Sequence, residues 1–260
     1  MPILSMELTS VLSHLSLGNK GEQDEFALKK ELFVHRMDIT YCVSLFGDKG
    51  LSGIEVLHPI NDSPYVSIND IHRKASSMSK VDVSVLLKQS KEVLYLSIKS
   101  KRGSKPSLLN HTPRSADVFQ HGPLKEELVQ LDIIAKEYHD KRRAGILSED
   151  VKMTILESYA NEPTKQSVRK MLIYFIFRGT GTRTSRQECN SILSMNKDGS
   201  RTYISCITEE EKENYVLGMM DQCILSFRNK GMRKKKKEDI PWIGIYHSKE
   251  YGAIHIRLSK

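Results

Sequence analysis

The stretch SKVDVSVLLKQSKEVLYLSIKSKRG, residues 79–103, constrains the fold most. The runs VDVSVLL and EVLYLSIK alternate or carry β-branched residues around a short polar turn, so two paired, buried strands are expected. Side chains at i and i+2 of a strand share a face, so Ser97 and Lys99 point the same way. Asp82, at the start of the partner strand, can join them. Two readings stand. Asp82 and Lys99 are either an ion pair at a sheet margin or part of a site that holds a metal and a water. In the second reading a carboxylate binds a hard divalent cation that offsets phosphate charge and acidifies water. The lysine then orients that water or stabilises the charge that develops.

The chain of 260 residues is long enough for one large domain or two small ones with a real core. Forty Lys and Arg stand against 32 Asp and Glu, giving a net charge of +8 and a pI near 9.2. Such a surplus favours an anionic partner such as nucleic acid or an acidic membrane surface. The four cysteines, Cys42, Cys189, Cys206 and Cys223, form no CxxC pair, which speaks against a structural zinc site. The first twenty residues lack a basic start followed by a continuous apolar run, so no signal peptide is expected. No run approaches transmembrane length, and a cytoplasmic location with free thiols is expected.

Along the chain, helical spacing predicts a helix over 20–36. ITYCVSLFG and GIEVLHP read as strands around a Gly-rich turn, and DSPYVSINDIHRKASSMS as mainly loop. KRGSKPSLLNHTPRS reads as a basic loop, and PLKEELVQLDIIAKEYHDKRR as an amphipathic helix. SEDVKMTILESYAN is another helix with Ser148 as its N-cap. Glu162-Pro163 marks a soft domain boundary between 1–162 and 163–260, or a bend within one continuous domain. Beyond it KMLIYFIF reads as a buried strand and CNSILSMNKDGSRTYISCI as a hairpin turning at Asp198-Gly199. Thr208 and Glu211 form a capping box that opens a helix to about Ser226. IPWIGIYHSKEYGAIHIRLSK reads as a terminal hairpin.

Some signals stay bland or divided. RKKKK, residues 233–237, is a solvated loop or a nonspecific phosphate contact. FRGTGTRTSR lacks the GK[ST] end of a P-loop and reads as a loop that can lie along DNA through Arg178, Arg183 and Arg186. The nine histidines show no HExxH or paired metal spacing. Glu22, at the start of the first helix, is a first-turn acid favouring the helix dipole or a further oxygen for a metal. His255 and Arg257 share one face of the last strand, either as an exposed edge or as base-reading groups.

These segments, in this order, resemble the small monomeric type II restriction endonucleases of the MspI and HinP kind, a branch of the PD-(D/E)xK nucleases. The likeness rests on G-x-x-x-E at Gly18–Glu22, on SKVD, on SIK and on SKRG. VRKMLIYFIFRG and IHIRLSK fall in place of the C-terminal strands. The resemblance implies an α/β fold with a restriction-endonuclease-like mixed central sheet flanked by helices and a β-rich C-terminal recognition part. It implies a catalytic nuclease core for 1–162 and DNA recognition for 163–260. It implies Mg2+ as cofactor, with Asp82, Glu22 and the Ile98 carbonyl as ligands and Lys99 as the catalytic lysine. Ser97 stands where the superfamily has Asp or Glu and close relatives have an amide, so it reaches a cation only through water. Lys101, Arg102, Lys105 and Ser107 are implied phosphate contacts. His255 and Arg257 are implied contacts to guanine edges, for which arginine is suited as a bidentate donor.

The implied activity is hydrolysis of double-stranded DNA at a short palindromic site containing G and C, leaving 5′-phosphate ends. A monomer and a companion DNA methyltransferase are implied as well. Two alternatives remain open: a PD-(D/E)xK nuclease of DNA repair or mobile elements, and a DNA-binding module whose catalytic site has decayed.

Overall fold

The structure is a computed structural model. It describes residues 20–71, 80–100, 107–111, 162–180, 183–220, 223–226, 239–241, 244–245 and 254–258, with scattered positions between 124 and 154. Two compact units emerge, Met1–Pro106 with Arg186–Ser205, and Ser107–Ser185 with Cys206–Lys260. A stretch from the second half of the sequence, Arg186–Ser205, completes the first unit.

The first unit begins with helix α1, Lys20–Val34, and helix α2, Ile39–Phe46. After a 3-10 turn, Gly47–Gly50, come strands β1, Ile54–Leu57, β2, Val83–Leu87, and β3, Val93–Ser100. Strand β4, Ser107–His111, helix α3, Glu162–Ile173, a π turn, Tyr174–Arg178, and short strands β5, Gly179–Thr180, and β6, Arg183–Thr184, belong to the second unit. The chain returns to the first with β7, Ser191–Met195, and β8, Arg201–Ser205. The resulting sheet has the order β1-β2-β3-β7-β8. It is mixed, because β3 and β7 pair parallel while its other neighbours pair antiparallel.

Alternation builds the core. Val83, Val85 and Leu87 of β2 and Leu94, Leu96 and Ile98 of β3 face Leu28 and Leu32 of α1 and Leu45 and Phe46 of α2. The helices thus cover one face of the sheet with their apolar stripe. Fully burying a side chain such as Leu96 contributes roughly 1.5–3 kcal/mol.

Two expected strands are helices. ITYCVSLF forms α2 because Asp38 caps it, accepting from the Tyr41 amide at 3.1 Å, while Gly47 ends it at φ 59°. Its buried residues Cys42, Leu45 and Phe46 follow helical spacing. KMLIYFIF continues α3 and its π turn, and Pro163 sits in that helix's first turn, where its missing N–H is harmless. Ser107–His111, expected as loop, is β4.

The second unit continues with helix α4, Glu209–Met220, and strands β9, Cys223–Ser226, β10, Asp239–Pro241, β11, Gly244–Ile245, and β12, Ile254–Leu258. Glu211 accepts from the Thr208 amide at 2.9 Å and returns its own amide to Thr208 Oγ1 at 3.1 Å, so the capping box forms as expected. The turn at Asp198-Gly199, with Gly199 at φ 85°, and the β11–β12 hairpin pairing also form. Among the described residues no helix is long and apolar enough to cross a membrane.

Gly50 lies against the backbone of α2. A Cβ there would stand 2.4 Å from the carbonyl carbon and oxygen of Cys42 and 2.8 Å from the Val43 nitrogen. Gly50→Ala is therefore expected to destabilise the protein by about 1–3 kcal/mol or more. Denaturant unfolding measures this, and an unchanged midpoint would show that the turn does not dock on α2.

Candidate active site at the end of the central sheet

Backbone pairing between β2 and β3 stops at Val83 opposite Leu96. Asp82 stands just beyond. Its amide donates to the Leu96 carbonyl at 2.8 Å, and its Oδ2 accepts from the Ile98 N–H at 2.7 Å. The side chain thus takes over where the backbone ladder ends, satisfying a buried donor that would otherwise go unpaired. Ser97 is 2% exposed and donates to the same Oδ2 at 3.3 Å. Its place beside the acid makes it a partner of Asp82 rather than a replacement for a second carboxylate.

Lys99 follows on the same face of β3, partly buried, and pairs in register with Ser194 of β7. Among the described residues no ion pair joins Asp82 and Lys99. The sheet-margin ion pair is therefore not what this end of the hairpin forms.

Helix α1 brings a further acid. Asp24 is buried and accepts from Ser100 Oγ at 2.5 Å, fastening the first turns of the helix to the end of β3. Glu25, the next residue, feels the site directly. Burial pushes its carboxyl above the usual range and the Asp82 charge adds to this, while Lys29 and Lys99 oppose it. Glu22 lies one turn earlier on the same helical face. Sequence reasoning missed Glu25, although a signal was present. The G-x-x-x-E spacing occurs twice, at Gly18–Glu22 and again at Gly21–Glu25.

Two more groups share this field. Burial, with the Lys99 charge, lowers the Lys80 ammonium to about 8 against the opposing effect of Asp82. Burial raises the Cys189 thiol to about 11, so it is protonated at neutral pH. Its Sγ donates to the Ser191 carbonyl at 3.1 Å.

Among the described residues no three His, Cys, Asp or Glu side chains group closely enough to hold a metal. The described residues by themselves offer no donor set for a soft or structural metal centre. A hard cation held by one or two carboxylates, with water and a substrate phosphate completing its shell, does fit. The Asp82 charge adds to the cost of ionising Glu25, and a divalent cation would relieve that cost.

In the second unit the register of β12 against β4 sets Arg257 opposite Ser107 and His255 opposite Asn110. β12 also pairs with β9 and β11, so it is an inner strand and not an edge. Arg178 is engaged with Glu209, and Arg186 Nη1 donates to the Ile60 carbonyl at 3.0 Å. Lys101, Arg102, Lys105 and the run 233–237 lie outside the described residues.

No protein-family model matches the chain, and no curated protein does. Among solved structures, the restriction endonuclease MspI in complex with its cognate DNA is similar at 12% identity and a TM-score of 0.34. The similarity covers 68% of this chain and 63% of that one, less than two thirds of its length. It is too slight to assign either fold or function.

The Lys80 shift makes a pH prediction. Its folded value, about 8, lies below the ordinary 10.5, so between these limits the unfolded chain binds more protons. The penalty is complete below about pH 8 and is relieved as pH rises towards 10.5, so this group adds stability over that range. Lys80→Met should remove that rise from a plot of unfolding free energy against pH. An unchanged slope would show that Lys80 is not desolvated.

Proposed function

We propose that the chain is a Mg2+-dependent type II restriction endonuclease that hydrolyses double-stranded DNA at a short palindromic site containing G and C. The observation that carries this reading is the gathering of Asp82, Ser97 and Lys99 at one end of a mixed sheet. An acid at a strand start, a lysine on the next strand and an acid from a packed helix suit hydrolysis of a phosphodiester. Asp82 and Glu25 would hold the cation, with Glu22 and the Ile98 carbonyl as further oxygens. When bound, the cation neutralises phosphate charge and acidifies a water.

The chain's own groups do the rest. The Ile98 N–H and Ser97 hydroxyl fix Oδ2 of Asp82, leaving its other oxygen for the cation. Lys99 orients the attacking water and stabilises the charge that develops on the phosphate. The water gives up a proton to solvent as its oxygen bonds to phosphorus, and the 3′ oxygen takes a proton from solvent as its bond to phosphorus breaks, leaving 5′-phosphate and 3′-hydroxyl ends. Arg257 and His255 would read guanine O6 and N7 from the second unit, beside Ser107. Lys101, Arg102 and Lys105 would contact phosphates. The protein would act as a monomer in the cytoplasm, cutting strands in sequence, beside a DNA methyltransferase that protects the host.

A second reading, a DNA-binding module whose catalysis has decayed, is favoured by one observation. Ser97 occupies the place of an acid, and Asp82 Oδ2 already accepts two donors. Digestion of a known DNA with Mg2+ separates the readings. Discrete fragments support restriction, nicks at special structures support a repair nuclease, and binding without cutting supports decay.

Lys99→Ala is expected to slow cleavage by about 100- to 1,000-fold or more while leaving much of the DNA binding. Undiminished cleavage would remove Lys99 from the site. Arg257→Ala should lose about 1–3 kcal/mol of sequence discrimination while salt-sensitive nonspecific binding persists. Competition binding at fixed salt reads this, and an unaltered specificity ratio would remove β12 from base reading.

A further inference from the structure

Lys99 sits on a stretch of β3 that outruns one of its neighbours. The paired register of β2 reaches only Val83 opposite Leu96, while β7 follows β3 through to Ser100 opposite Met195. Two carboxylates hold this stretch instead, one on each side of Lys99 in the sequence. Asp82 Oδ2 accepts from the Ile98 N–H at 2.7 Å, and Asp24 Oδ2, from α1, accepts from the Ser100 hydroxyl at 2.5 Å. Asp24 is 4% exposed. A buried carboxylate is a costly way to fasten a helix to a strand, and this face accepts apolar contacts, as Leu28, Leu32 and Ile98 show. A hydrogen bond is directional, however, and apolar packing is not. What Asp24 adds is a fixed place for Ser100. Alternation puts Ser100 and Lys99 on opposite faces of β3, so holding Ser100 against α1 sends Lys99 to the face that carries Ser97.

We propose that Asp24 is a positioning residue for Lys99: by holding Ser100 Oγ from helix α1, it fixes the end of β3 and with it the direction of the lysine side chain. The proposal rests on the nuclease reading above and adds a residue that acts through Lys99 rather than on DNA. A displacement of about 1 Å at a reacting group can slow a reaction about 100-fold, so loss of this bond should be felt at the lysine. Asparagine, whose side-chain carbonyl also accepts from a hydroxyl, should keep it.

Two measurements on the full chain test this. The first is single-turnover cleavage of a known DNA with Mg2+. Ser100→Ala and Asp24→Ala should each slow cleavage by about 10- to 100-fold, and the double variant no further. Asp24→Asn should recover most of the rate. In a Lys99→Ala background Ser100→Ala should slow the residual cleavage no more, because nothing is left to position. An equal further loss there would mark a purely structural role and overturn the proposal, as would a parental rate in Ser100→Ala. The second measurement needs neither metal nor DNA: trace acetylation of lysines in the folded chain, read by mass spectrometry. Ser100→Ala should change the labelling rate of Lys99 severalfold and leave Lys88 and Lys91 as in the parent. Unchanged labelling of Lys99 overturns the proposal, and this readout decides where Lys99→Ala leaves too little cleavage to compare. If Asp24→Ala does not fold, Ser100→Ala and Asp24→Asn carry the comparison. If the parent cuts no DNA, the nuclease reading falls, while changed labelling still supports the hold of Asp24 and Ser100 on Lys99.

Discussion

The carboxylate of Asp82 taking the Ile98 amide is the interaction on which the first unit's chemistry depends. A β ladder must end somewhere, and its last N–H groups need acceptors. Here the acceptor is an acid, so the place where backbone pairing stops is also where negative charge is fixed. Ser97 reinforces the same oxygen, and Lys99 projects from the same face one alternate position further on. The geometry of the site is thus a by-product of how the hairpin terminates. No long loop is needed to hold it.

Around that point the helix supplies what the sheet lacks. Asp24 binds Ser100 and sets the height of α1 on β3, while Leu28 and Leu32 anchor it in the core. Glu25 is carried between these anchors into the field of Asp82 and Lys99. Its position follows from packing on both sides of it in the sequence. The charges here are mixed and close, with Lys80 also held in partial burial. Structural ion networks perturb ionisation as catalytic sites do, so the shifts alone name no reaction. The convergence on one sheet end is what gives them meaning.

Much of this was legible in sequence because period-two alternation survives in β2 and β3. One face of each strand is packed on helices while the other carries Ser84, Tyr95, Ser97 and Lys99. Alternation failed as a guide for KMLIYFIF, where every residue from Met171 to Phe177 is buried. A run buried on all sides has no period, and helix and strand then look alike. ITYCVSLF misled for a related reason, since its β-branched residues outweighed the Asp38 cap and Gly47 stop. β4 was hidden within a stretch rich in Ser, Pro and Lys, because its pairing partner β12 lies far along the chain. Glu25 was missed although its glycine spacing repeats that of Glu22.

The interleaving of the two units has a consequence for how the chain is made. Strand β3, which carries Lys99, needs β7 as its parallel neighbour, and Ser107–Ser185 must be synthesised before β7 exists. Until then one side of β3 is an unpaired edge beside an apolar core. Parallel pairing across so long a separation is slow, since closure entropy precedes any reward. A fragment ending at Pro106 would keep Asp82 and Lys99 in sequence but leave that edge open. The sheet that bears the charged cluster is therefore incomplete until the ribosome has passed Ser205.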